Sequence, residues 1–436
     1  MRDALSRSVA PRDATDRATS RDDGAFGTPD ASTVSPDTHL RGRRAAVLLF
    51  SYYPSDPRPR RAAEALVREG MHVELICLRR SADEPGREMV NGVDILRLPF
   101  RRRRGAVGIY LGQYALFLLI TFALLAARSL RRRIALVHVH NMPDVLVFSA
   151  LVPKALGAKV ILDLHDPMPE LLMTIFGLGP SSLAVRLLKG LERRSVAFAD
   201  VVFTVNVACQ EVFASRGCPR EKIRVVMNAP DEAIFTLRAP TSAPRDEDRP
   251  FVIMYHGTIV ERSGLDLAVA ALAIARHTLP GIELRICGHA TPFLDVVMDR
   301  VRRSGLERNV RYLGEKSHEE IVAAIDDSDI GVIPNRRSPF AEMATPTRIF
   351  EYLARGKPVV TARARGVRDY FAEDALFFCE PDDANDLARV IAHAFEHPTE
   401  TERAVRRGQE VYLAHRWSEE RRGLVTCTAR LLDAAA

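Results

Sequence analysis

The residues best suited to chemistry lie in one helix-sized stretch, TPTRIFEYLARGKPVV, at positions 345–360. Pro346 favours the first turn of a helix, and Gly356 ends it before a run typical of a buried strand. A helix that begins this way directs free backbone N–H groups to its N-terminal side, where a diphosphate can bind. Glu351, a turn and a half further on, can accept hydrogen bonds from sugar hydroxyls. The alternative is an ordinary amphipathic helix with a solvated Glu351.

His165, in the segment LDLHD, is a second residue placed for chemistry. A lone histidine beside a strand is usually buried and hydrogen-bonded. At the carboxyl end of a parallel strand it would instead face the crevice in which ligands of such sheets bind. The pattern alone leaves both interpretations open. Neither Asp163 nor Asp166 forms a DxD metal motif, so we expect no required divalent metal and no metal ligands.

Two series of short apolar runs, alternating with amphipathic stretches, must position these residues, and such alternation is typical of parallel α/β units. The first series predicts strands at Ala45–Phe50, Val73–Leu78, Val93–Leu98, Leu136–His140, Val160–Leu164, Val201–Thr204 and Ile223–Val226. The second predicts strands at Phe251–Tyr255, Ile282–Cys287, Val310–Leu313, Ile330–Pro334, Val359–Ala362 and Ala375–Phe378, with helices such as Leu265–Ala275 and Glu319–Ile325.

A stretch rich in proline and charge, residues 230–250, separates the two series, as linkers between domains do. We therefore predict two Rossmann-like domains facing across a cleft, at residues 41–229 and 251–410. Residues 1–40 predict a disordered tail, and residues 411–436 a helix that packs back toward the N-terminal domain. Neither domain's first strand is followed by GxGxxG, which disfavours a dinucleotide-binding dehydrogenase.

The composition is that of a soluble globular protein of several domains, with 436 residues, 47% hydrophobic and 27% charged. It excludes collagen-like, coiled-coil and small disulfide-rich proteins. The six cysteines lie far apart without a CxxC pair, which predicts reduced thiols in the cytoplasm, no disulfides and no structural zinc. The net charge is +6, and all but six of the 62 basic residues are arginine, which suits phosphate or anionic lipid.

One segment, residues 105–127, carries 23 uncharged residues and is long enough to span a bilayer. Nine arginines and no acid lie between Arg97 and Arg133, which bracket it. The segment is a core helix, an interfacial helix or a transmembrane span. Topology disfavours the span, because Leu136–His140 must rejoin the sheet begun before the helix. The arginines would attract anionic headgroups, so we expect peripheral contact with the inner face of the membrane.

The sequence resembles the family 4 glycosyltransferases, enzymes of the GT-B fold. A bacterial branch of that family carries P-x-K-x-x-E-Y-L-A-x-G-K-P-V-V, which residues 346–360 match with Arg348 in place of lysine. Similar segments follow the family's order and spacing through most of the chain, namely FSYYPSDPRPRRAAEA at 50–65, HVHNMPD at 138–144, LDLHDPMPE at 162–170, VMNAPDEAIF at 226–235, VRYLG at 310–314 and SHEEI at 317–321.

The resemblance implies a retaining glycosyltransferase. Such an enzyme would move a sugar from a nucleotide-diphosphate sugar to a hydroxyl acceptor, in cell-surface polysaccharide or glycolipid synthesis. The acceptor would be a sugar or a lipid-linked sugar. No cofactor and no nucleic acid are implied.

The resemblance also assigns site residues. Glu351 takes the place of the glutamate that binds the donor's ribose. The family's other glutamate falls at Met343, so Glu342, or backbone amides at residues 344–347, would contact the donor sugar. The remaining donor-binding residues would be Gly257, Thr258, Arg262, Lys316, Thr347 and Arg348, and the acceptor-binding residues Arg58, Asn141 and Asp166.

The resemblance further assigns catalytic roles to His165, Arg262 and Glu351. His165 would lie near the reacting carbon. Arg262, the only cation left in its loop, would stabilise the leaving diphosphate together with Arg348. An oxygen of that diphosphate would take the acceptor's proton, so a dedicated protein base is not needed.

Two other functions compete with this one. Met343 and the missing loop lysine favour a catalytically weakened GT-B protein that binds a partner. A GT-B epimerase acting on a nucleotide sugar fits the predicted fold but not the run at residues 346–354.

Overall fold

Two β-sheets organise the computed structural model, which describes residues 40–102, 107–240, 249–279 and 281–434. The predicted tail before Leu40, part of the predicted linker and the start of the predicted apolar helix lie outside these residues. The strands are β1 Arg44–Leu49, β2 His72–Leu78, β3 Arg87–Val90, β4 Val93–Leu98, β5 Leu136–His140, β6 Lys159–Leu164, β7 Val201–Thr204, β8 Ile223–Val225, β9 Val252–His256, β10 Glu283–Cys287, β11 Val310–Gly314, β12 Ile330–Ile333, β13 Val359–Ala362 and β14 Phe377–Cys379.

Helices connect the strands and cover both faces of each sheet. They are α1 Pro57–Arg68, α2 Val107–Arg131, α3 Leu151–Ala155, α4 Met168–Phe176, α5 Leu183–Phe198, α6 Val207–Ser215, α7 Leu265–Ala275, α8 Pro292–Arg303, α9 His318–Asp326, α10 Pro339–Met343, α11 Thr347–Ala354, α12 Arg365–Arg368, α13 Ala384–Glu396, α14 Pro398–Ala414 and α15 Trp417–Asp433. Short 3₁₀ helices lie at Asp144–Ala150, Arg220–Lys222 and Glu261–Ser263.

The first sheet has the order β3-β4-β2-β1-β5-β6-β7-β8 and the second the order β11-β10-β9-β12-β13-β14. All neighbouring strands pair in parallel except β3 and β4. Each predicted strand is present, with its ends shifted by at most two residues. This agreement arises because strands buried on both faces are continuous apolar runs, which are easy to recognise.

The sequence analysis did not predict β3. This strand is a half-exposed edge strand of four residues, so it has no apolar run. It turns into β4 through Asn91 and Gly92, whose φ angles are +51° and +80°. Asn-Gly is the preferred pair for such a hairpin turn, and it was the available signal.

We call the first sheet with its helices the N-terminal lobe and the second the C-terminal lobe. The described residues form one compact unit. The last helix, α15, belongs to the N-terminal lobe, because Leu424, Val425 and Leu432 pack into the same core as Val47 in β1. The predicted C-terminal helix at 411–436 is divided, since α14 extends to Ala414 and the chain then crosses between the lobes before Trp417.

The apolar segment forms α2, which is long and apolar enough to cross a membrane. Of the three alternatives left open for this segment, a helix buried on all sides does not fit the structure. Phe117 and Leu125 are fully buried on one face, but Leu111 and Leu119 on the other are 62% and 65% exposed. The helix joins β4 to β5, two strands of one sheet, and packs on the 3₁₀ helix at Asp144–Ala150. A described face of α2 is therefore apolar and uncovered.

Candidate functional site

The carboxyl ends of the two sheets line a cavity of about 360 Å³ between the lobes. The N-terminal lobe contributes loop and helix residues that include Asp56, Arg58, Arg61, His165 and Asp166. The C-terminal lobe contributes His318, Thr347 and Glu351. Parallel strands of both sheets end here, which is where α/β folds bind ligands.

A smaller cavity of about 170 Å³ adjoins the first and shares His165, Asp166 and Thr347 with it. Much of its wall is apolar, with contributions from Pro167, Val205, Cys209, Phe340 and Met343. The two cavities form one cleft. We call it the interlobe cleft.

Glu351 lies in the wall of this cleft, and its side chain is only 16% exposed, so it is not the solvated glutamate of an ordinary amphipathic helix. One of its carboxylate oxygens is 3.4 Å from Nε2 of His256. Burial raises the pKa of Glu351 to about 7, although Arg348 and Arg61 oppose the shift. Burial and the nearby Arg348 lower the pKa of His256 to about 3, so this imidazole is neutral. Glu351 and His256 can therefore accept hydrogen bonds from a polar ligand or donate hydrogen bonds to it.

The start of α11 faces the same cleft. Thr347 lines both cavities, and no side chain caps the helix at Pro346. First-turn N–H groups of an uncapped helix are available to an anion. The predicted helix that begins at Pro346 is therefore present, with its amino end in the wall of the cleft.

The positively charged guanidinium of Arg348 lies near the start of this helix. Its Nη1 donates a 2.6 Å hydrogen bond to the carbonyl of His256, and its guanidinium lies 5.1 Å from the centre of the Tyr255 ring. Gly257 has a φ of +118°, and a Cβ there would lie 3.2 Å from Cδ of Arg348. A glycine at this position lets the loop and the arginine approach each other.

His165 faces the cleft, as the second of its two interpretations required. Its backbone N–H donates to Oδ1 of Asn141 at 3.2 Å. Asn141 also donates from Nδ2 to the carbonyl of Asp166 at 2.6 Å, and it is only 3% exposed. The amide therefore fixes the loop that carries His165 and Asp166. The predicted contact of Asn141 with an acceptor stays a prediction.

Asp56 is a cleft residue that the sequence analysis missed. Burial raises its pKa, while the nearby His165 opposes the shift. Its position immediately before Pro57-Arg58, in the loop after the first strand, was the available signal.

Arg58 was predicted to bind an acceptor, but its guanidinium makes internal contacts at the base of the cleft. Nη2 lies 2.8 Å from Oδ1 of Asp163, and Nη1 donates to the carbonyl of Val226 at 2.7 Å. Burial opposes ionisation of Asp163, but Arg58, His138 and His140 hold the pKa of that carboxyl well below its usual range.

His138, His140 and Asp163 are close enough to be considered as metal ligands. The guanidinium of Arg58, however, contacts both oxygens of Asp163. Burial and the neighbouring His138 lower the pKa of His140 to about 3. The ion pair of Arg58 with Asp163, beside a neutral His140, already balances the charge of that carboxylate.

Six of the eight predicted donor-binding residues line neither cavity of the cleft, namely Gly257 and Arg348, whose contacts are given above, and the four that follow. Arg262 is exposed in the 3₁₀ helix that precedes α7, and Thr258 is also exposed. Lys316 pairs with Glu320 at 3.0 Å. Glu342 lies in a neighbouring crevice and accepts a hydrogen bond from the N–H of Arg365 at 3.2 Å. Their contacts with a donor stay predictions.

Two family models match the chain. A "Glycosyl transferase 4-like domain" covers residues 56–229, and "Glycosyl transferases group 1" covers residues 240–411. The first covers most of the N-terminal lobe and the second most of the C-terminal lobe.

Curated relatives are glycosyltransferases of several kinds. A glycogen synthase of Mycobacterium tuberculosis is 29% identical over 221 residues, which cover 50% of this chain and 50% of the relative. The putative colanic acid biosynthesis glycosyltransferase WcaL of Escherichia coli is 30% identical over 178 residues, 40% of this chain and 43% of the relative. These alignments span about half the length of the curated relatives or less.

Solved structures share the fold at low identity. Sucrose-phosphate synthase from Thermosynechococcus elongatus superimposes with a TM-score of 0.71 at 18% identity, covering 90% of this chain and 100% of the other. HepE of Anabaena, solved with UDP-glucose, gives a TM-score of 0.65 at 16% identity and covers 90% of this chain and 99% of that one. With two α/β lobes facing across a cleft and family models matching both, this chain belongs to family 4 of the GT-B glycosyltransferases.

Proposed function

We propose that this protein is a cytoplasmic glycosyltransferase. It transfers a sugar from a nucleotide-diphosphate sugar to a hydroxyl acceptor, with retention of the anomeric configuration, in the synthesis of a surface polysaccharide or glycolipid. The observation that carries the proposal is the buried Glu351 of α11, a helix whose uncapped start faces the same 360 Å³ cavity as Glu351, His165 and Asp166.

The C-terminal side of the cleft suits the donor. Glu351 can accept hydrogen bonds from ribose hydroxyls, and the first turn of α11 can receive the diphosphate. HepE of Anabaena, which has the same fold, was solved with UDP-glucose. His165 and Asp166 on the opposite wall then remain for the reacting sugar and the acceptor.

The difficult part of the reaction is the charge that develops on the leaving diphosphate when the anomeric C–O bond breaks. Groups aimed at that charge stabilise the transition state more than the ground state. Arg348, held between the His256 carbonyl and the Tyr255 ring, is our first choice for this role. Arg262 is the second.

The proposed retention follows from the family resemblance. Attack on the face that the diphosphate leaves lets a diphosphate oxygen take the acceptor's proton. The surface-polysaccharide setting rests on relatives such as WcaL and the amylovoran biosynthesis glycosyltransferase AmsK of Erwinia amylovora, whose names state such roles.

A thermal-shift screen of UDP-, GDP-, ADP- and dTDP-sugars identifies the donor class, because a ligand that binds the native state raises Tm. The donor so found should be hydrolysed slowly without an acceptor, and NMR of the first sugar released should give the donor's own anomer. The other anomer would contradict retention, and no stabilisation by any nucleotide sugar would contradict the donor site.

Arginine variants then test the leaving-group site. Arg348→Ala should lower kcat and kcat/KM together by about a hundredfold, the size expected for loss of one charge stabiliser. Arg262→Ala tests the second cation in the same assay. Arg368→Ala, an exposed arginine of the same lobe, is the matched control and should behave like the wild type.

A second candidate function is a partner-binding subunit with weakened catalysis. Met343 lines the cleft where the family has a glutamate, whereas Glu342 lies in the neighbouring crevice. Nucleotide binding without hydrolysis or transfer of any donor would favour this candidate.

A further inference from the structure

The outer face of α2 is apolar along its described length. Its large exposed side chains are Ile109, Leu111, Leu116, Leu119 and Leu130, and the other exposed positions from 108 to 130 are glycine or alanine. At about 1.5 Å per residue, this face is more than 30 Å long. A surface helix normally carries polar residues on the side away from the core, and a helix that is apolar all round is normally covered on every side.

The inner face of α2 fixes the helix on the N-terminal lobe. Phe117 and Leu125 are buried, and the Oγ1 atom of Thr121 lies 2.7 Å from Oγ of Ser149 in the 3₁₀ helix below. The helix is thus part of the lobe, with one apolar face left over for a partner.

Helix α5 extends the same kind of surface. Leu183, Leu187 and Leu191 are four residues apart and are 71%, 59% and 39% exposed. Both α2 and α5 pack on the 3₁₀ helix at Asp144–Ala150, so they lie in one layer of the lobe.

Cations surround this apolar surface. Arg101 and Arg102 precede α2, residues 131–133 are three consecutive exposed arginines at its other end, and Arg186 and Arg194 flank the leucines of α5. Within the described residues, none of these side chains forms an ion pair with an acid. The sequence from 98 to 133 contains no acid at all.

We propose that the outer faces of α2 and α5, with their flanking arginines, form a docking face that binds an anionic lipid bilayer. Leucines at the boundary between headgroups and acyl chains, with arginines beside them, match the recognised pattern of an interfacial helix. Charge selects the partner, because a row of unpaired arginines suits lipid phosphates and would repel a second copy of the same surface.

The docking face begins beside the interlobe cleft. Tyr114 near the start of α2 packs on Phe50, with ring centres 4.9 Å apart, and Phe50 opens the loop that leads to Asp56. Helix α4 follows Asp166 directly and ends at Phe176, which is 53% exposed. This step rests on the proposed function: a lipid-linked hydroxyl acceptor held in the bilayer would reach the cleft from this side.

Vesicle sedimentation with the full-length protein tests the proposal. We expect binding to vesicles that contain 30% phosphatidylglycerol in about 20 mM salt, little binding to pure phosphatidylcholine, and release as salt rises, because salt screens charges at the surface. The double variant L116E/L119E should bind at least tenfold more weakly. Val296→Glu, at a 53% exposed position on α8 of the C-terminal lobe, is the matched control and should bind like the wild type.

A separate variant tests the electrostatic contribution to vesicle binding. Changing Arg131, Arg132 and Arg133 to glutamine should weaken binding and flatten its dependence on salt. Hydrolysis of a soluble donor is measured in parallel and should be unchanged in all these variants. Vesicle binding without donor hydrolysis would leave the docking face intact and refute the proposed enzyme, whereas hydrolysis without vesicle binding would do the reverse.

Three results would overturn the docking face. The first is absence of vesicle binding by the wild type at low salt. The second is retention in bacterial membranes through high salt and carbonate, with release by detergent alone, which would make α2 a span. The third is a dimer in solution that L116E/L119E dissociates, which would make a second copy the partner.

Discussion

Glu351 is the residue whose chemistry depends most on its surroundings. Its pKa is raised from 4.5 to about 7 by burial, so between these values it is protonated in the folded protein and ionised in the unfolded chain. The folded state then binds more protons than the unfolded state. The contribution of Glu351 to stability is therefore fully present below pH 4.5, declines as pH rises, and is lost above pH 7.

Glu351→Gln should remove this dependence. We expect the free energy of unfolding, measured by urea denaturation, to fall less between pH 5 and 7 in the variant than in the wild type. Donor affinity at pH 8 should be about tenfold lower in the variant, since a charge-assisted hydrogen bond becomes a neutral one. Glu410→Gln, at an exposed position in α14, is the control. Identical pH profiles and donor affinities in wild type and variant would refute a buried donor-binding Glu351.

Arg58 shows a different balance between structure and function. Its ion pair with Asp163 is buried, with side chains 8% and 2% exposed. Removal of one partner from such a pair leaves an uncompensated charge and typically costs about 3–5 kcal/mol. We expect Arg58→Ala to lower the free energy of unfolding by that amount.

Arg68→Ala, at an exposed position on the same helix, should change the free energy of unfolding by less than about 0.5 kcal/mol. Denaturation curves of the two variants measure both changes in the free energy of unfolding. An Arg58 variant with unchanged stability and a raised KM for the acceptor would instead support the direct acceptor contact implied by the family resemblance.

At the scale of elements, α11 is held in place by residues of its second half and of the turn that follows it. Tyr352 donates from its hydroxyl to the carbonyl of Met254 in β9 at 2.9 Å. Lys357 donates from Nζ to the carbonyls of Asp326 and Ser328, at 2.9 and 2.6 Å, and so fastens the end of α9. The run E-Y-L-A-R-G-K-P thus combines one residue that lines the cleft, Glu351, with several residues that hold its helix in place.

Gly356 is needed at the end of α11 for two reasons. Its φ is +70°, and a Cβ there would lie 2.7 Å from the carbonyl oxygen of Ala239. Gly356→Ala should lower the free energy of unfolding by about 2–3 kcal/mol, through backbone strain and the displaced linker.

Gly423→Ala is the matched control for this prediction, because a Cβ at Gly423 in α15 meets nothing within 4 Å. It should raise stability by about 0.5–1 kcal/mol, since alanine favours helix. Thermal unfolding of both variants measures these changes in stability. An unchanged stability of Gly356→Ala would show that the linker can shift at no cost in free energy.

At the scale of the whole molecule, the first and last parts of the described chain complete one core. Leu424 and Leu432 from α15 pack with Leu40 and Val47 from the beginning of the described chain. Trp417, the single tryptophan, lies 5.3 Å from the guanidinium of Arg61 near the cleft. The N-terminal lobe is therefore incomplete until the last helix returns from the C-terminal lobe.

Leu424→Ala should lower the free energy of unfolding by about 2–4 kcal/mol, as for other buried leucines. Leu413→Ala, at a 38% exposed position on α14, should cost much less. Urea unfolding followed by the fluorescence of Trp417 measures both. Equal costs would mean that α15 is only loosely attached to the N-terminal lobe.

The sequence by itself determined the two-sheet architecture and the position of α11. Buried parallel strands are continuous apolar runs, and Pro346 and Gly356 bracket α11, so both signals are local. The sequence did not determine which charged residues face the cleft. Asp56, which was not predicted, lines the cleft, whereas Arg262, Lys316 and Glu342, which were predicted, line neither of its cavities. The difference arises because side-chain direction depends on loops and on how the lobes meet.

The fate of the apolar helix also required the tertiary structure. Residues 105–127 have the same composition whether they lie in a core, at an interface or in a bilayer, so composition could not choose among the three. Packing on the 3₁₀ helix at Asp144–Ala150 covers one side of α2 and leaves the other exposed. Only the three-dimensional arrangement distinguishes these sides, because it decides which atoms are removed from water.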